Sequence, residues 1–265
     1  MTDWLSLCRA AAEDVRGVLA QMPTRAEREP VVGAGVGGDD TTAVDAAVER
    51  VVVERLEQAL SDYTLVSEEL GERVRGDGST WLVVDPVDGS LNAKRGLPHF
   101  ALSVAVARGG TMGDVEFAYV HDFGTGEEWT ARRGEGAWLN GEPLGGVRPK
   151  DEIELLAFEA TLTSTIAQHA PNVVGLAYRL RVTGSLAIAL CNLAAGRLDG
   201  VCSLKPARSV DIAAAQLLVR EVGLAIDLFE RQPFLDSPLD LVGHSRVVAA
   251  ATPELCERLA EALRR

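Results

Sequence analysis

Several residue patterns that mark common functional classes are missing from this chain of 265 residues. Its four cysteines form no C-x-x-C pair, and they lie in apolar surroundings typical of small core residues. Its four histidines show neither metal-ligand spacing nor a matching Ser/His/Asp set. These absences argue against a disulfide framework, a histidine-based metal site and a serine-protease-like triad. We expect the histidines to be structural or solvated.

Long apolar runs are missing as well. No stretch approaches the ~18–20 apolar residues that a membrane span requires. The first residues include acidic side chains and no apolar core of a signal peptide. From this pattern we expect a cytoplasmic protein.

Positive charge is scarce, since 26 Lys and Arg residues face 39 Asp and Glu residues for a net charge of −13 at pH 7. Such a field repels duplex nucleic acid, whose binding depends on cations that neutralise phosphates. It also disfavours an anionic membrane surface. We therefore predict a small-molecule partner, with neither nucleic acid nor membrane. A hydrophobic fraction of 47% and a charged fraction of 25% are typical of a globular protein.

Apolar periodicity divides the chain into two halves. In the first half it predicts helices at 3–20 and about 41–60, a loop at 23–38, strands at 63–67, 81–85, 100–107, 115–120 and 128–132, and a hairpin at 134–141 with Asn140-Gly141 as its turn. In the second half it predicts strands at 153–158, 199–203, 224–228 and 245–250, and helices at 185–195, 210–222 and 253–264. The sequence thus predicts an α+β subdomain with an antiparallel sheet at 1–150 and an α/β subdomain at 151–265.

The strongest chemical signal is the run Trp81-Leu-Val-Val-Asp-Pro-Val-Asp-Gly-Ser90. A hydrophobic strand ends at Asp85, and a proline and a glycine then turn the chain, which brings Asp85 and Asp88 close together. Two adjacent carboxylates repel each other unless a cation lies between them. Mg²⁺ suits that position because it prefers oxygen ligands, and the carbonyl of Val87 would add a third. An isolated D-x-x-D run is more often an Asx turn, but the D-P-x-D-G string is rarer.

Two further acidic groups stand at the ends of predicted elements. Glu68 and Glu69 follow the strand 63–67, and Asp211 opens the helix 210–222. Separately, these residues have ordinary explanations as a solvated strand end and a helix cap. Together with Asp85 they supply acidic ligands at three element ends, as a multi-metal site on an α/β frame requires.

Six stretches between positions 42 and 223 carry a family resemblance, in the family's order and spacing. They are Thr42-Ala-Val-Asp45 with Glu49, Ser67-Glu-Glu-Leu-Gly71, Asp85-Pro-Val-Asp-Gly-Ser-Leu-Asn92, Gly134-Glu-Gly-Ala-Trp-Leu-Asn-Gly141, Gly184-Ser-Leu186, and Asp211-Ile-Ala-Ala-Ala with Glu221-Val-Gly223. The chain resembles the inositol monophosphatase superfamily of Mg²⁺-dependent phosphatases, and most closely its archaeal-type branch with dual inositol monophosphatase and fructose-1,6-bisphosphatase activity. This resemblance implies a layered α/β/α/β/α fold and a homodimer.

The resemblance also implies which residues bind metal. Glu68, Asp85 and the Val87 carbonyl correspond to a first site, and Asp85, Asp88 and Asp211 to a second. The expected cofactor is Mg²⁺, with two or three ions in the site and Mn²⁺ as a possible substitute.

A weaker third metal position is implied next to Glu68, with Glu69 near it. The glycine-rich stretch 33–38 lacks the Lys-Ser/Thr ending of a P-loop and is predicted to be a mobile loop. Because the family has a flexible loop near the metals in this region, Asp39 and Asp40 are candidates to approach the third ion.

The catalytic roles follow from the same resemblance. Ser90 falls where family members carry Thr or Ser, and with Asp45 it should orient the attacking water; Glu68 is the third expected catalytic residue. Metal ions acidify a bound water and neutralise the phosphoryl oxygens, so in-line attack needs positioning and electrostatics rather than a covalent intermediate. The backbone N–H groups of Gly89 and Ser90 can bind phosphate oxygens.

Substrate contacts are expected at two further places. Gly184, Ser185 and Leu186 open the helix 185–195, where family members present backbone N–H groups to substrate hydroxyls. A glycine turn with a serine N-cap is an equally good interpretation, and both can hold together.

The second place lies just before the last metal ligand. Animal inositol monophosphatases have a substrate-binding Glu seven residues before that Asp, but here the position is Leu204. Nearby cations at Lys205 and Arg208, with Arg179 and Arg181 upstream, could bind a second phosphate instead. Alternatively, they are ordinary surface charges.

The sequence therefore predicts a Mg²⁺-dependent phosphatase for fructose 1,6-bisphosphate, inositol monophosphate or both. The alternatives are a dedicated inositol-1-monophosphatase, a nucleotide 3′-phosphatase or a histidinol-phosphate phosphatase. A non-catalytic member of the family should have lost at least one metal ligand, and none is lost here.

Overall fold

The computed structural model describes residues 2–36, 40–146, 150–159, 162–231 and 233–265. The helices are α1 (Trp4–Gln21), α2 (Arg25–Arg28), α3 (Ala43–Ala59), α4 (Ser90–Arg95), α5 (Thr163–His169), α6 (Leu186–Ala194), α7 (Ser209–Glu221) and α8 (Pro253–Arg264). The strands are β1 (Val31–Ala34), β2 (Asp40–Thr42), β3 (Tyr63–Ser67), β4 (Gly71–Arg75), β5 (Trp81–Asp88), β6 (Ala101–Ala107), β7 (Val115–Asp122), β8 (Glu128–Arg132), β9 (Gly136–Leu139), β10 (Glu142–Pro143), β11 (Ile153–Glu159), β12 (Ala177–Arg181), β13 (Gly200–Ser203), β14 (Ala225–Leu228) and β15 (Val247–Ala250).

Two sheets organise these elements. The larger has the order β10-β9-β8-β7-β6-β5-β3-β4, and its neighbours are antiparallel except for β3 and β5, which run parallel. The smaller has the order β12-β11-β13-β15-β14, with β11 parallel to β12 and β13 and with β15 antiparallel to its neighbours. The sheet of the first half is therefore antiparallel apart from one pair, and that pair carries two of the acidic residues.

The layers alternate as the sequence predicts for an α/β/α/β/α fold. Side chains on one face of the larger sheet, such as those of Leu65 and Leu82, pack against α1 and α3. Their chain neighbours Val66 and Val83 point to the other face and pack in the core formed with α6 and α7, since successive side chains on a strand alternate. The smaller sheet follows, and α8 covers its far face.

The helices α6 and α7 form the central layer and are apolar on nearly every side. They are rich in alanine, and almost all of their residues are buried, because a sheet lies on each side of them. Their core includes residues of both sheets. The chain passes from one sheet to the other between 143 and 153, near the predicted subdomain boundary, yet both halves share this central layer.

Some elements differ from the predictions. The segment 23–38, predicted to be a loop, contains the short helix α2 and the strand β1, which pairs with β2. The elements β4, α5 and β12 were not predicted. Both β4 and β12 are edge strands with mostly exposed, charged residues, so they lack the apolar alternation on which a strand prediction depends.

The expectations for the cysteines and for the hairpin turn are confirmed. All four cysteines are buried and none forms a disulfide. Asn140 and Gly141 both have positive φ, 52° and 82°, as a two-residue hairpin turn between β9 and β10 requires. In the part of the chain that the structure describes, no helix has both the length and the apolarity to cross a bilayer.

Glu49 on α3 fixes the segment that follows β3. Its buried carboxylate accepts hydrogen bonds from the Ser67 hydroxyl at 2.6 Å and from the backbone N–H groups of Glu69 at 3.1 Å and Leu70 at 3.0 Å. Three donors compensate for the burial of this charge. The contact holds the backbone on both sides of Glu68 and so sets the position of that side chain.

We expect Glu49→Ala to lower the free energy of unfolding by about 1–3 kcal/mol, because three donors lose their acceptor in a buried place. Glu54→Ala changes an exposed glutamate on the same helix and is the matched control for helix propensity. Urea unfolding of both variants measures the difference. Equal stability of the two variants would contradict the role assigned to Glu49.

Candidate active site

The parallel pairing of β3 and β5 brings the first two acidic residues together. Ser67 pairs with Val84 in this register, so Glu68, which follows the last residue of β3, and Asp85, the next residue of β5, lie at the same end of the pair. Carboxyl ends of parallel strands meet in this way as a matter of geometry. An antiparallel arrangement of these strands would have placed the two side chains at opposite edges.

A β-bulge brings Asp88 onto the same side as Asp85. In the pairing of β5 with β6, Asp85 lies opposite Ser103 and Asp88 opposite Ala101, so three residues of β5 match two of β6. In a regular strand, side chains three positions apart point to opposite faces. The extra residue of the bulge removes that difference, and both aspartates line one cavity.

The N-terminus of α6 holds the carboxylate of Asp88. Asp88 Oδ2 accepts hydrogen bonds from the Ser185 hydroxyl at 2.6 Å and from the Ala187 N–H at 2.7 Å. Ser185 is the N-cap of α6, and its oxygen accepts a hydrogen bond from the Ile188 N–H. The positive end of the helix dipole favours a carboxylate in this position. Ser185, predicted to contact substrate, is engaged here with Asp88.

Asp211 comes from the first turn of α7 and meets Arg208. Its Oδ2 atom accepts a hydrogen bond from the Arg208 N–H at 2.7 Å. The Nη2 atom of Arg208 lies 2.6 Å from Glu68 Oε1 and 3.0 Å from Asp211 Oδ1. Arg208, predicted to bind a remote phosphate, therefore has its guanidinium between two of the predicted metal ligands.

Crowding of carboxylates perturbs their acidity. Burial, with the charges of Asp211 and Glu68 in addition, raises the pKa of Asp88 to about 7, although its hydrogen bonds from α6 act in the opposite direction. Burial also raises the pKa of Asp85 well above its ordinary value, and the neighbouring carboxylates add to this shift. Burial raises the pKa of Glu68 despite the adjacent Arg208. Burial and the mutual repulsion of the carboxylates thus outweigh the single positive charge of Arg208.

The donor chemistry fits a hard divalent cation. Glu68, Asp85, Asp88 and Asp211 offer only oxygen ligands, which suit Mg²⁺ or Mn²⁺ better than zinc or copper. With Arg208 among them, no three acidic, histidine or cysteine side chains within the described ranges stand at metal-ligand spacing. The residues match the ion in kind, and they would have to rearrange around Arg208 to hold it.

The cavity above this cluster has a volume of about 160 Å³. It brings together most of the predicted site residues, namely Glu68, Asp85, Val87, Asp88, Gly89, Ser90, Gly184, Leu186, Lys205, Arg208 and Asp211. Lys205 is exposed, whereas Leu204 before it is buried in the core beneath α8. The cavity therefore has carboxylates at its floor and the exposed side chain of Lys205 at its opening.

Gly89 is required where the chain turns from β5 into α4. Its φ is +89°, and a Cβ there would lie 2.7 Å from the carbonyl oxygen of His99. Both the backbone conformation and the close approach exclude other residues. This explains the glycine in the D-P-x-D-G string and places the N–H groups of Gly89 and Ser90 at the cavity.

Several predicted site residues lie outside the cavity. The carboxylate of Glu69 accepts a hydrogen bond from the Thr41 hydroxyl, on the hairpin formed by β1 and β2. Arg179 forms an ion pair with Glu154 on the outer strands of the smaller sheet. Arg181 is exposed and contacts a backbone carbonyl. None of these contacts lies in the cavity, so they do not support the predicted roles of Glu69, Arg179 and Arg181.

Of the two aspartates predicted to approach the third ion, Asp40 lies within the described residues and Asp39 does not. Asp40 is exposed on β2, and Asp39 lies outside the described residues.

Asp45 is buried at the start of α3. Its Oδ2 atom accepts hydrogen bonds from the N–H and hydroxyl of Thr42 at 3.1 and 2.5 Å, which form a capping box. Its Oδ1 atom is buried without a hydrogen-bond partner among the described residues. Burial raises its pKa, the Thr42 contacts acting in the opposite direction. Among the hydrogen bonds of the described residues, none joins Asp45 to Ser90.

Glu159 is a site residue that the sequence analysis missed. It ends β11, is buried and lines the cavity. Its carboxylate accepts hydrogen bonds from the Thr183 N–H at 3.1 Å, the Thr183 hydroxyl at 2.7 Å and the Gly184 N–H at 2.8 Å. It therefore fixes the turn that leads into α6. The signal was present, since Glu159 is an acidic residue at a strand end, as Glu68 is.

Known proteins resemble this chain over most of its length. The model of the inositol monophosphatase family matches residues 4–265. The Nus factor SuhB of Salmonella typhimurium is 35% identical over 240 residues, which cover 86% of each chain. A fructose-1,6-bisphosphatase/inositol-1-monophosphatase of Thermococcus kodakarensis is 33% identical over 234 residues, covering 88% of this chain and 86% of the other.

A solved structure supports the fold. The MJ0109 gene product, an inositol monophosphatase-fructose 1,6-bisphosphatase, has a TM-score of 0.85 at 24% identity, covering 98% of this chain and 100% of that chain. The layered fold, the acidic cluster and sequence matches over nearly the whole length lead to one conclusion: the chain belongs to the inositol monophosphatase family.

Proposed function

We propose that this phosphatase hydrolyses small sugar or polyol phosphates with Mg²⁺ as its metal, and that fructose 1,6-bisphosphate and inositol monophosphate are its leading substrates. The family is in general metal-dependent and acts on small-molecule phosphates. The observation that carries the proposal is the meeting of four carboxylates, from the ends of different elements, in one cavity of molecular size. The relatives whose names include both activities support the choice of substrates.

The residues that would hold the metal are Glu68, Asp85, Asp88 and Asp211, with the backbone of Val87. When bound, Mg²⁺ would supply charge neutralisation at the phosphoryl oxygens and acidify a water. The chain itself positions these ligands and the phosphate-binding N–H groups. The N-terminus of α6 orients Asp88, Glu49 orients the segment around Glu68, and the N–H groups of Gly89 and Ser90 are available to phosphate oxygens.

Ser90 and Asp45 are proposed to orient the attacking water. A hydroxyl can accept a hydrogen bond from the water while it donates its own proton to a carboxylate. Asp45 Oδ1 is an acceptor without a partner among the described residues, and Ser90 lines the cavity. Catalytic hydrogen bonds often form or tighten only in the complex, so we expect substrate binding to join the two.

The second phosphate of a bisphosphate would be held by Lys205. This side chain is exposed at the cavity and forms no ion pair among those of the described residues. Arg208 is engaged by Glu68 and Asp211, and Arg179 and Arg181 do not line the cavity. The bisphosphatase proposal therefore depends on one cation, and a dedicated inositol monophosphatase is the second candidate because so few cations face the cavity.

We expect activity to disappear in EDTA and to return with millimolar Mg²⁺. Asp88→Asn should lower kcat at least ~10²-fold, because a ligand loses its charge while the neutral amide can still accept from Ser185. Asp77→Asn, on an exposed turn, is the control. Phosphate release from both substrates is the measurement, and full turnover in EDTA would refute the metal requirement.

Ser90→Ala and Asp45→Asn should each lower kcat with little change in KM, because the oriented water matters mainly in the transition state. The double variant should lose little more than either single variant, since the two residues act on one group. Steady-state kinetics of the unchanged protein, the two single variants and the double variant measures these effects in a double-mutant cycle. If the two losses multiply, the residues do not form a dyad.

Lys205→Ala should lower kcat/KM for fructose 1,6-bisphosphate by about ten- to a hundredfold, the value of one charge-assisted contact. Hydrolysis of inositol 1-phosphate, which has no second phosphate, should change only a few-fold. Lys150→Ala removes an exposed lysine that pairs with Glu154 and should affect neither substrate. An equal loss on both substrates would favour the dedicated inositol monophosphatase.

A further inference from the structure

Arg208 is the cation that neutralises the acidic cluster. Its side chain is 14% exposed, and it forms ion pairs with Glu68, which is 20% exposed, and with Asp211, which is 10% exposed. Arginine is always protonated in proteins, and both carboxylates accept hydrogen bonds from its Nη2 atom. The guanidinium therefore stays charged and fixed between the two carboxylates.

No other cation of the described residues takes this place. Among the residues that line the cavity, Lys205 is the only other basic one, and it pairs with neither carboxylate within the described part of the chain. The ion pairs of Glu68 and Asp211 found there are those with Arg208. Removal of Arg208 would thus leave a group of buried carboxylates without a counter-charge, which is costly.

The guanidinium and a metal ion need the same oxygens. A divalent ion that prefers oxygen requires its ligands at about 2.1 Å, whereas Glu68 Oε1 and Asp211 Oδ1 both face the Nη2 atom of Arg208 at 2.6 and 3.0 Å. Two cations that compete for one pair of carboxylates also repel each other. Binding of one must therefore weaken the contacts of the other.

We propose that Arg208 is a built-in competitor of the metal: it neutralises Glu68 and Asp211 in the metal-free protein, and it must leave at least one of them before an ion can bind. This inference rests on the proposed metal dependence. It replaces the predicted role of Arg208 as a holder of a remote phosphate. Its consequence is a metal affinity below the intrinsic affinity of the carboxylates, because only the fraction of molecules with Arg208 displaced is competent to bind.

The test is metal binding without substrate. Mn²⁺ and Mg²⁺ are titrated calorimetrically into EDTA-stripped, full-length protein. Arg208→Met keeps an unbranched, flexible side chain and removes its charge, and it should bind Mn²⁺ at least about tenfold more tightly than the unchanged protein. Lys205→Met removes a cation from the same cavity without touching the carboxylates, and its affinity should change by no more than about threefold.

Thermal unfolding provides a second readout. Arg208→Met should have a lower Tm than the unchanged protein in EDTA, because its carboxylates lack a counter-charge, and a larger rise in Tm when Mn²⁺ is added. Should this variant fail to fold, Arg208→Lys retains a charge, but its ammonium ends one bond short of the Nη2 atom that contacts both carboxylates. It should bind Mn²⁺ a few-fold more tightly than the unchanged protein.

Unchanged or weaker Mn²⁺ binding by the Arg208 variants would overturn the inference, as would an equal gain in Lys205→Met. Weaker binding would mean that Arg208 supports the metal site instead of competing with it. These outcomes leave the proposed function intact as long as Mg²⁺ restores activity after EDTA. If the unchanged protein neither binds Mg²⁺ nor loses activity in EDTA, the proposed function itself is wrong.

Discussion

Repulsion among four crowded carboxylates, three of them buried and that of Glu68 partly so, is the constraint on which the rest of this site depends. Like charges in a low-dielectric environment raise the free energy of the folded chain unless donors or cations compensate. The chain compensates Asp88 with the first turn of α6 and Glu68 and Asp211 with Arg208. These contacts cross from the larger sheet to the central helices, so the same charges that serve chemistry also fix how the layers meet.

Gly89 and two further buried acids, Glu49 and Glu159, hold the backbone of the site in place. Gly89 allows the backbone after Asp88 to pass within contact of the 99–100 segment. Glu49 and Glu159 each accept three hydrogen bonds from loop donors and so fix the backbone beside Glu68 and before α6. Backbone N–H groups donate most of these hydrogen bonds, so the bonds fix the course of the chain around the site.

The acidic cluster could be predicted from the sequence better than its surroundings. Acidic residues at the ends of apolar strands were visible from periodicity, and Glu68, Asp85, Asp88 and Asp211 do line one cavity. Glu159 follows the predicted strand 153–158 as Glu68 follows 63–67, but it was missed because it belongs to none of the stretches that carry the family resemblance. The bulge in β5 and the parallel pairing with β3 depend on partners distant in the chain, which a local pattern does not contain.

Basic residues show the limit of spacing arguments more clearly. In the sequence, four cations looked alike as candidates to bind a second phosphate: Lys205, Arg208, Arg179 and Arg181. The fold sends two of them to an edge strand, one into the acidic cluster and one to the cavity opening. A long charged side chain reveals its partner only when tertiary packing decides which carboxylates it meets, as with Glu154 for Arg179.

The β-bulge between Asp85 and Asp88 makes the pairing register of β5 with β6 as important as residue type. If β6 slipped by one residue beyond Ser103 and closed the bulge, Asp88 would lie opposite Phe100, and its carboxylate would turn toward the face that packs on α1 and α3. A charge would then lie among apolar side chains, and the N-terminus of α6 would lose its acceptor. The pairing of two strands that are joined through the turn at Gly89 therefore decides whether both aspartates face one cavity.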